Sequence, residues 1–171
     1  MGEISRYSEN TNPATGDFVL GETTSGPTTN RFKLLNLITL FNNNVGQFTD
    51  YSSSSTIVGW SSLSTTIIQY AQVGKVVFVN FALRGTSNST AASFTLPVAA
   101  VAINGGANTL SFDTASGLNF DNGSIQSTPA RIYIDPTVSD SLVTLVRSMG
   151  VNSWTASGTK DVRGMFSYQA A

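Results

Sequence analysis

The sequence predicts an all-β fold, an antiparallel β-sandwich or jelly roll of about eight strands, with an extended N-terminal arm and one short helix near 31–42. Short strand-like runs recur from residue 56 onward, and turns rich in Gly, Asn and Pro separate them. One run, 75–84, is apolar on both faces. A strand at the surface would alternate between apolar and polar residues, so we expect this strand to be covered from both sides.

The first 45 residues differ from the rest in charge and pattern. Residues 9–32 are rich in Pro, Gly, Asn and Thr, which are turn formers. Residues 32–41 then carry apolar side chains at roughly helical spacing, and Asn42–Asn44 would end the helix. A helix this short is marginal alone and needs a surface to pack on. We therefore divide the chain into an arm, 1–45, and a β-domain, 46–171.

The β-domain contains nine candidate strands, and the shortest connection, at Val73-Gly74, predicts a hairpin. The candidate strands are 56–60, 65–73, 75–84, 92–98, 109–113, 117–121, 130–134, 141–147 and 161–169. Alternation along these runs predicts the side chains that face the core. They are Ile67 or Ile68, Val77, Val79, Phe81, Phe94, Leu96, Ile132, Ile134, Val143, Leu145, Phe166 and Tyr168.

The composition excludes several classes of function. The chain has no histidine and no cysteine, so it cannot build a Ser-His-Asp triad or a metal site with His or Cys ligands. Its net charge of −1 gives no basic footprint for nucleic acid. No segment approaches the length of an apolar membrane span. Charged residues make up only 11% of the chain, whereas it contains 23 Ser and 21 Thr, so its polar residues are mostly neutral hydroxyls. We predict no cofactor, no metal and no membrane insertion.

Carboxylates are the remaining route to catalysis, because glycoside hydrolysis needs two of them and no histidine. The β-domain offers only aspartates, and those at Asp121 and Asp135 occupy ordinary turn positions. We interpret them as structural and predict that the protein is not an enzyme. The alternative, a glycan depolymerase using a pair of aspartates, would depend on these same residues.

Aromatic and strand residues suggest contacts with other molecules. Trp60 and Trp154 lie among hydroxyl and amide side chains and are candidate glycan contacts; alternatively, each indole packs at a sandwich edge or a subunit contact. Val76, Phe78 and Ala82 form the second apolar face of the run 75–84. We expect them at a trimer contact. Arg163 lies within a strand, where an arginine often pairs with a carboxylate across such a contact.

Several of these segments resemble one class of virion protein. The run YAQVGKVVF at 70–78, the loop Gly85–Asn88 and the run SFTLP at 93–97 resemble a β-domain common in structural proteins of tailed bacteriophages. That domain recurs at the distal part of tail fibres and of other virion appendages. The closing run DVRGMFSY at 161–168 fits the same pattern, and 16–41 resembles the proximal segment of phage fibres.

The resemblance implies a non-enzymatic homotrimer located in the virion and synthesised in the host cytoplasm. The arm would contact other virion proteins and the β-domain would be displayed, with adhesion to a host-surface glycan as one expected role. The anchoring residues would be Phe18, Val19, Leu34, Leu35, Leu37 and Ile38. A full tail fibre has a long shaft between its anchoring segment and its head. Here only about ten residues, at about 3.3 Å each, lie between these two parts. We therefore predict a short fibre or spike. The alternatives are a capsid decoration (cement) protein that stabilises the head and a carbohydrate-binding module.

Overall fold

The computed structural model describes two compact units, Met1–Val45 and Gly46–Ala171. The described residues are 18–23, 26–33, 45–101, 112–115, 118–135, 138–149 and 152–171. For 18–23, 26–33 and 112–115, only the backbone is described.

The described part of the first unit is a β-hairpin. Strand β1 (Phe18–Thr23) pairs antiparallel with β2 (Gly26–Lys33), and Phe18 lies opposite Lys33. The predicted helix near 31–42 is therefore wrong at its start, since Arg31–Lys33 are strand; residues 34–42 lie outside the described residues. The apolar run at 18–20 offers these residues a ladder of backbone hydrogen bonds, whereas an isolated short helix is marginal.

The second unit begins with a six-stranded antiparallel sheet. Its spatial order is β10-β9-β13-β6-β5-β3. The strands are β3 (Thr49–Asp50), β5 (Trp60–Val73), β6 (Val76–Ser87), β9 (Leu118–Asp121), β10 (Ser124–Ile125) and β13 (Thr159–Gln169). The central ladder between β13 and β6 runs without a register shift from Thr159 opposite Thr86 to Gln169 opposite Val76. This sheet has an inner face towards the core and an outer face.

A five-stranded antiparallel sheet packs against the inner face. Its order is β4-β7-β12-β11-β8. The strands are β4 (Ile57–Val58), β7 (Ser93–Thr95), β8 (Phe112–Ala115), β11 (Arg131–Ile134) and β12 (Leu142–Val146). The rings of Phe81 and Phe94, one from each sheet, lie 5.2 Å apart between centroids. The prediction of an all-β antiparallel β-sandwich is confirmed for the described residues.

The core contains the side chains that alternation predicted. Val77, Val79 and Phe81 are at most 1% exposed, and the five-stranded sheet contributes Ile132, Ile134, Val143 and Leu145. Of the two alternatives at 67 and 68, Ile68 is buried, because its position opposite Phe81 faces the second sheet. Such burial contributes roughly 1.5–3 kcal/mol per large apolar side chain.

Glycine is required at two points that shape this unit. Gly74 has φ +59° in the turn between β5 and β6, a conformation that L side chains rarely adopt. Gly59 has φ +108°, and a Cβ there would collide with the carbonyl oxygen of Ala91. The backbone of residue 59 therefore lies directly against the loop between β6 and β7, and its carbonyl oxygen accepts a hydrogen bond from Lys160.

Candidate functional site

A buried lysine lies between the two sheets at one end of the sandwich. Lys160, near the start of β13, is 0% exposed. Its Nζ donates to the carbonyl oxygens of Gly59 at 3.0 Å, Ser89 at 2.9 Å and Ala91 at 3.4 Å. The ammonium group therefore joins strand β13 to the segment before β5 and to the loop after β6. This lysine was not among the residues predicted to face the core.

The two tryptophans enclose that lysine. Nζ of Lys160 lies 4.9 Å from the ring centroid of Trp60 and 5.4 Å from that of Trp154, within the range of cation–π attraction. The indole N–H of Trp60 donates to the backbone carbonyl of Lys160, and that of Trp154 donates to the backbone carbonyl of Leu145. The prediction that Trp60 and Trp154 contact a glycan is wrong, because both are buried and neither presents an open aromatic plane. Edge packing, the alternative interpretation, describes them.

The surroundings of Lys160 act on its protonation in opposite directions. Burial lowers the pKa of its ammonium to about 8, while the negative charge of Asp121 raises it. The two rings and three carbonyls also favour the charged form. The amine has no described neighbour arranged as a substrate site, so we interpret the assembly as a structural connection between the sheets.

Asp121, one of the two carboxylates considered for catalysis, forms an ion pair and accepts hydrogen bonds. Oδ2 of Asp121 lies 3.1 Å from Nη1 of Arg147, and its oxygens also accept from the backbone N–H and hydroxyl of Thr155. Asp50 accepts from the backbone N–H and hydroxyl of Ser52, which lowers the pKa of its carboxyl. Within the described ranges, no group of three or more acidic residues is positioned to hold a metal ion.

The outer face of the six-stranded sheet carries the residues predicted for a trimer contact. Val76 is 42% exposed, Phe78 is 39% exposed and Ala82 is half-buried. Neighbouring strands extend this apolar surface, since Val73 lies opposite Val76 and Ile67 lies opposite Ala82. We call Ile67, Val73, Val76, Phe78, Ala82 and Met165 the apolar outer patch. Exposed apolar patches of this kind often mark interaction sites.

Arg163 lies at the margin of this patch, opposite Ala82. Its Nε and Nη2 donate to the two carboxylate oxygens of Asp161 at 2.9 Å and 2.8 Å, a bidentate pair that raises the pKa of the guanidinium. The carboxylate expected across a subunit contact is thus two residues away in the same strand. A role for Arg163 at a subunit contact stays a prediction.

A shallow pocket opens beside this ion pair. Its volume is about 190 Å³, and its walls are Arg84, Phe120, Gly123, Thr159 and Asp161. Arg84 and Asp161 face each other across the β6–β13 ladder, and Phe120 lies opposite Asp161 on β9. The pocket therefore combines a guanidinium, a carboxylate, a hydroxyl and an aromatic ring, all fixed to adjoining strands. The sequence pattern does not indicate this pocket, because its four functional groups come from three strands that are distant in sequence.

The predicted anchoring residues belong to the first unit. Phe18 and Val19 lie in β1, and their pairing with Lys33 and Phe32 is described while their side chains are not. The other four, Leu34, Leu35, Leu37 and Ile38, lie outside the described residues. The anchoring role of all six stays a prediction.

The protein is thus an all-β sandwich with a buried lysine between two tryptophans, an apolar outer patch and a shallow pocket beside Arg84. A scan against protein-family models and a search of curated proteins found no match for the chain. Among the described residues, no helix has the length and apolar character that a membrane-spanning helix requires.

Proposed function

We propose that this protein is a non-enzymatic structural protein of a phage virion. In this proposal it forms a short homotrimeric fibre or spike, anchored to the particle by residues 1–45 and displaying the β-sandwich. The observation that carries the proposal is the apolar outer patch. The phage setting comes from the resemblance of 70–97, 161–168 and 16–41 to fibre proteins.

The apolar outer patch has the composition of a contact between identical chains. Val76 and Phe78, which lie at its end near the β5–β6 turn, are as apolar as the residues of the opposite, buried face of β6. Burying them against another surface removes apolar area from water at about 25 cal/mol per Å². Interfaces between permanently associated subunits are enriched in such apolar area.

The distribution of charge on this face also favours identical partners. Residues of the same kind approach one another around a symmetry axis, so charges near the axis would repel. The middle of the face instead carries the neutral amides Gln69 and Asn80, which are cross-strand neighbours. Amides both donate and accept hydrogen bonds and can pair with their own copies. The charged side chains Arg84, Asp161 and Arg163 lie at one end.

The oligomeric state of the full chain tests the assembly. We expect native mass spectrometry and light scattering to give three copies, and Phe78→Lys to give one. Val138→Lys is the matched control, since Val138 is an apolar residue at 76% exposure outside the patch. A stable wild-type monomer would overturn the homotrimer. A Phe78→Lys chain that remains trimeric and folded would overturn the apolar outer patch as its contact.

The location of the protein in virus particles tests the setting. We expect peptides of the chain in purified particles, and particle images with a bound antibody to show label at the tail or neck. Label distributed over the capsid surface would favour the decoration protein instead. Absence of the chain from purified particles would overturn the virion proposal.

A further inference from the structure

We propose that the pocket formed by Arg84, Phe120, Thr159 and Asp161 binds a sugar that carries a carboxylate, such as a uronic acid residue of a surface glycan. This site lies apart from Trp60 and Trp154. The biological setting rests on the proposed function, the display of the β-sandwich on a virion, whereas binding itself depends only on the folded β-sandwich.

The guanidinium of Arg84 is the group that would receive the carboxylate. Its nearest acidic contact is long, with Nε 3.8 Å from Oδ2 of Asp161, beyond hydrogen-bond distance. Asp161 is already held by two short bonds from Arg163. Among the described residues, Arg84 therefore keeps donors directed at solvent, and its side chain is 52% exposed. Arginine binds carboxylates bidentately through such a planar set of donors.

The charge of the pocket suits a single negative group. Arg84 in the wall contributes one positive charge, and Asp161 in the wall contributes one negative charge. Arg163 is not a wall residue, but its pairing with Asp161 adds a second positive charge and leaves a local excess of one. A sugar with one carboxylate would balance that excess. A neutral sugar would leave it unbalanced, and a polyanion would exceed it.

The remaining walls match the rest of a sugar ring. Phe120 is half-buried in the wall and provides an apolar surface for the C–H face of a pyranose. The hydroxyl of Thr159 and the carboxylate of Asp161 can bond sugar hydroxyls, because a carboxylate accepts more bonds than the two that Arg163 donates. The volume of about 190 Å³ corresponds to one sugar unit rather than a chain.

The position of the pocket fits display away from an attachment. The chain enters the sandwich at Gly46–Thr49, beside Val73 and Tyr70 near the β5–β6 turn. Thr159 lies at the other end of β13, and the ten steps to Gln169 span roughly 33 Å. The pocket therefore lies at the end of the sheet opposite the point where the chain enters.

The test is a nuclear magnetic resonance titration of the full chain with methyl β-glucuronide, with methyl β-glucoside and acetate as matched probes. We expect shifts at Arg84, Phe120, Gly123 and Thr159, and at least about tenfold weaker binding of the glucoside and of acetate. Arg84→Gln should weaken glucuronide binding by about tenfold or more, while Lys75→Gln, an exposed cation at the opposite end, should leave it unchanged.

Three results would overturn the site: no shifts at the pocket, equal affinity for glucuronide and glucoside, or acetate binding as tightly as the glucuronide. The amide spectrum of Arg84→Gln shows directly whether that variant is folded. The Phe78→Lys chain separates this proposal from the proposed assembly. Glucuronide binding by the monomeric Phe78→Lys chain would show that the site does not depend on the assembly. A monomeric wild type that binds would support the site and overturn the assembly, and a trimeric wild type without binding would do the reverse.

Discussion

The two faces of strand β6 both carry large apolar side chains but lie in opposite environments. Val77, Val79, Phe81 and Leu83 are at most 1% exposed, whereas Val76 and Phe78 on the other face are about two-fifths exposed. The sequence pattern shows both faces to be apolar but does not show what covers each. The comparison teaches that one apolar face is buried within the chain, while Val76 and Phe78 on the other remain exposed.

The largest expected effect is the loss of stability when a phenylalanine on the inner face, rather than one on the outer face, is replaced by alanine. Phe81→Ala should lower the free energy of unfolding by about 3–5 kcal/mol, because it leaves a cavity beside Phe94 and Phe166. Phe78→Ala on the outer face should cost less than about 1 kcal/mol in the dissociated chain. Urea denaturation at low protein concentration measures both. Equal losses would mean that the outer face is as well covered as the inner one.

A second comparison concerns two lysines at opposite ends of the same sheet. Lys160→Met should lower the free energy of unfolding by about 1–3 kcal/mol, since buried carbonyls lose their charged donor. Lys75→Met, at an exposed turn, should change it by less than about 0.5 kcal/mol. Denaturation at pH 7 tests this pair. A more stable Lys160→Met chain would show that desolvation of the ammonium outweighs its contacts.

The smallest expected effect, taken over a single pH unit, is a dependence of stability on pH that belongs to the inner face. The pKa of Lys160 falls from 10.5 to about 8 in the folded chain, so between these values the unfolded chain binds more protons. Stability should therefore rise with pH above 8, by at most about 1.4 kcal/mol per pH unit for one proton. Above pH 10 it should fall, because burial raises the pKa of Tyr168 and the unfolded chain loses that proton first.

Denaturation midpoints measured from pH 7 to pH 11 would show this profile. Lys160→Met should abolish the rise and keep the later fall. An identical rise in the variant would assign it to another group.

Period-two alternation allowed most of the sandwich to be predicted. It placed the core side chains of β6, β11, β12 and β13 correctly, because each of these strands has one face buried by the opposite sheet. The same alternation, extended back from Phe166 through Val162, reaches Lys160. That signal was present, but the predicted strand began at 161 and a charged residue is seldom fully buried.

The features that escaped prediction depend on contacts between distant segments. Trp60 and Trp154 have no neighbour in sequence that indicates the ammonium group between them. Arg84, Phe120 and Thr159 meet only through the order of the strands. At 31–33, the local apolar spacing favoured a helix, and pairing with Phe18–Leu20 favoured a strand instead. Local pattern thus predicts which face is apolar but not which segments meet.

Both ends of the β-sandwich meet at the β5–β6 turn. Gly46 lies beside Val73, and the N–H of Ala170 donates to the carbonyl of Lys75 at 2.8 Å. We therefore expect residues 46–171 to fold when inserted into a surface loop of another protein, since neighbouring termini favour domain insertion. Such a chimera would carry the pocket about a strand length from the splice, so the module can be transplanted as a display unit.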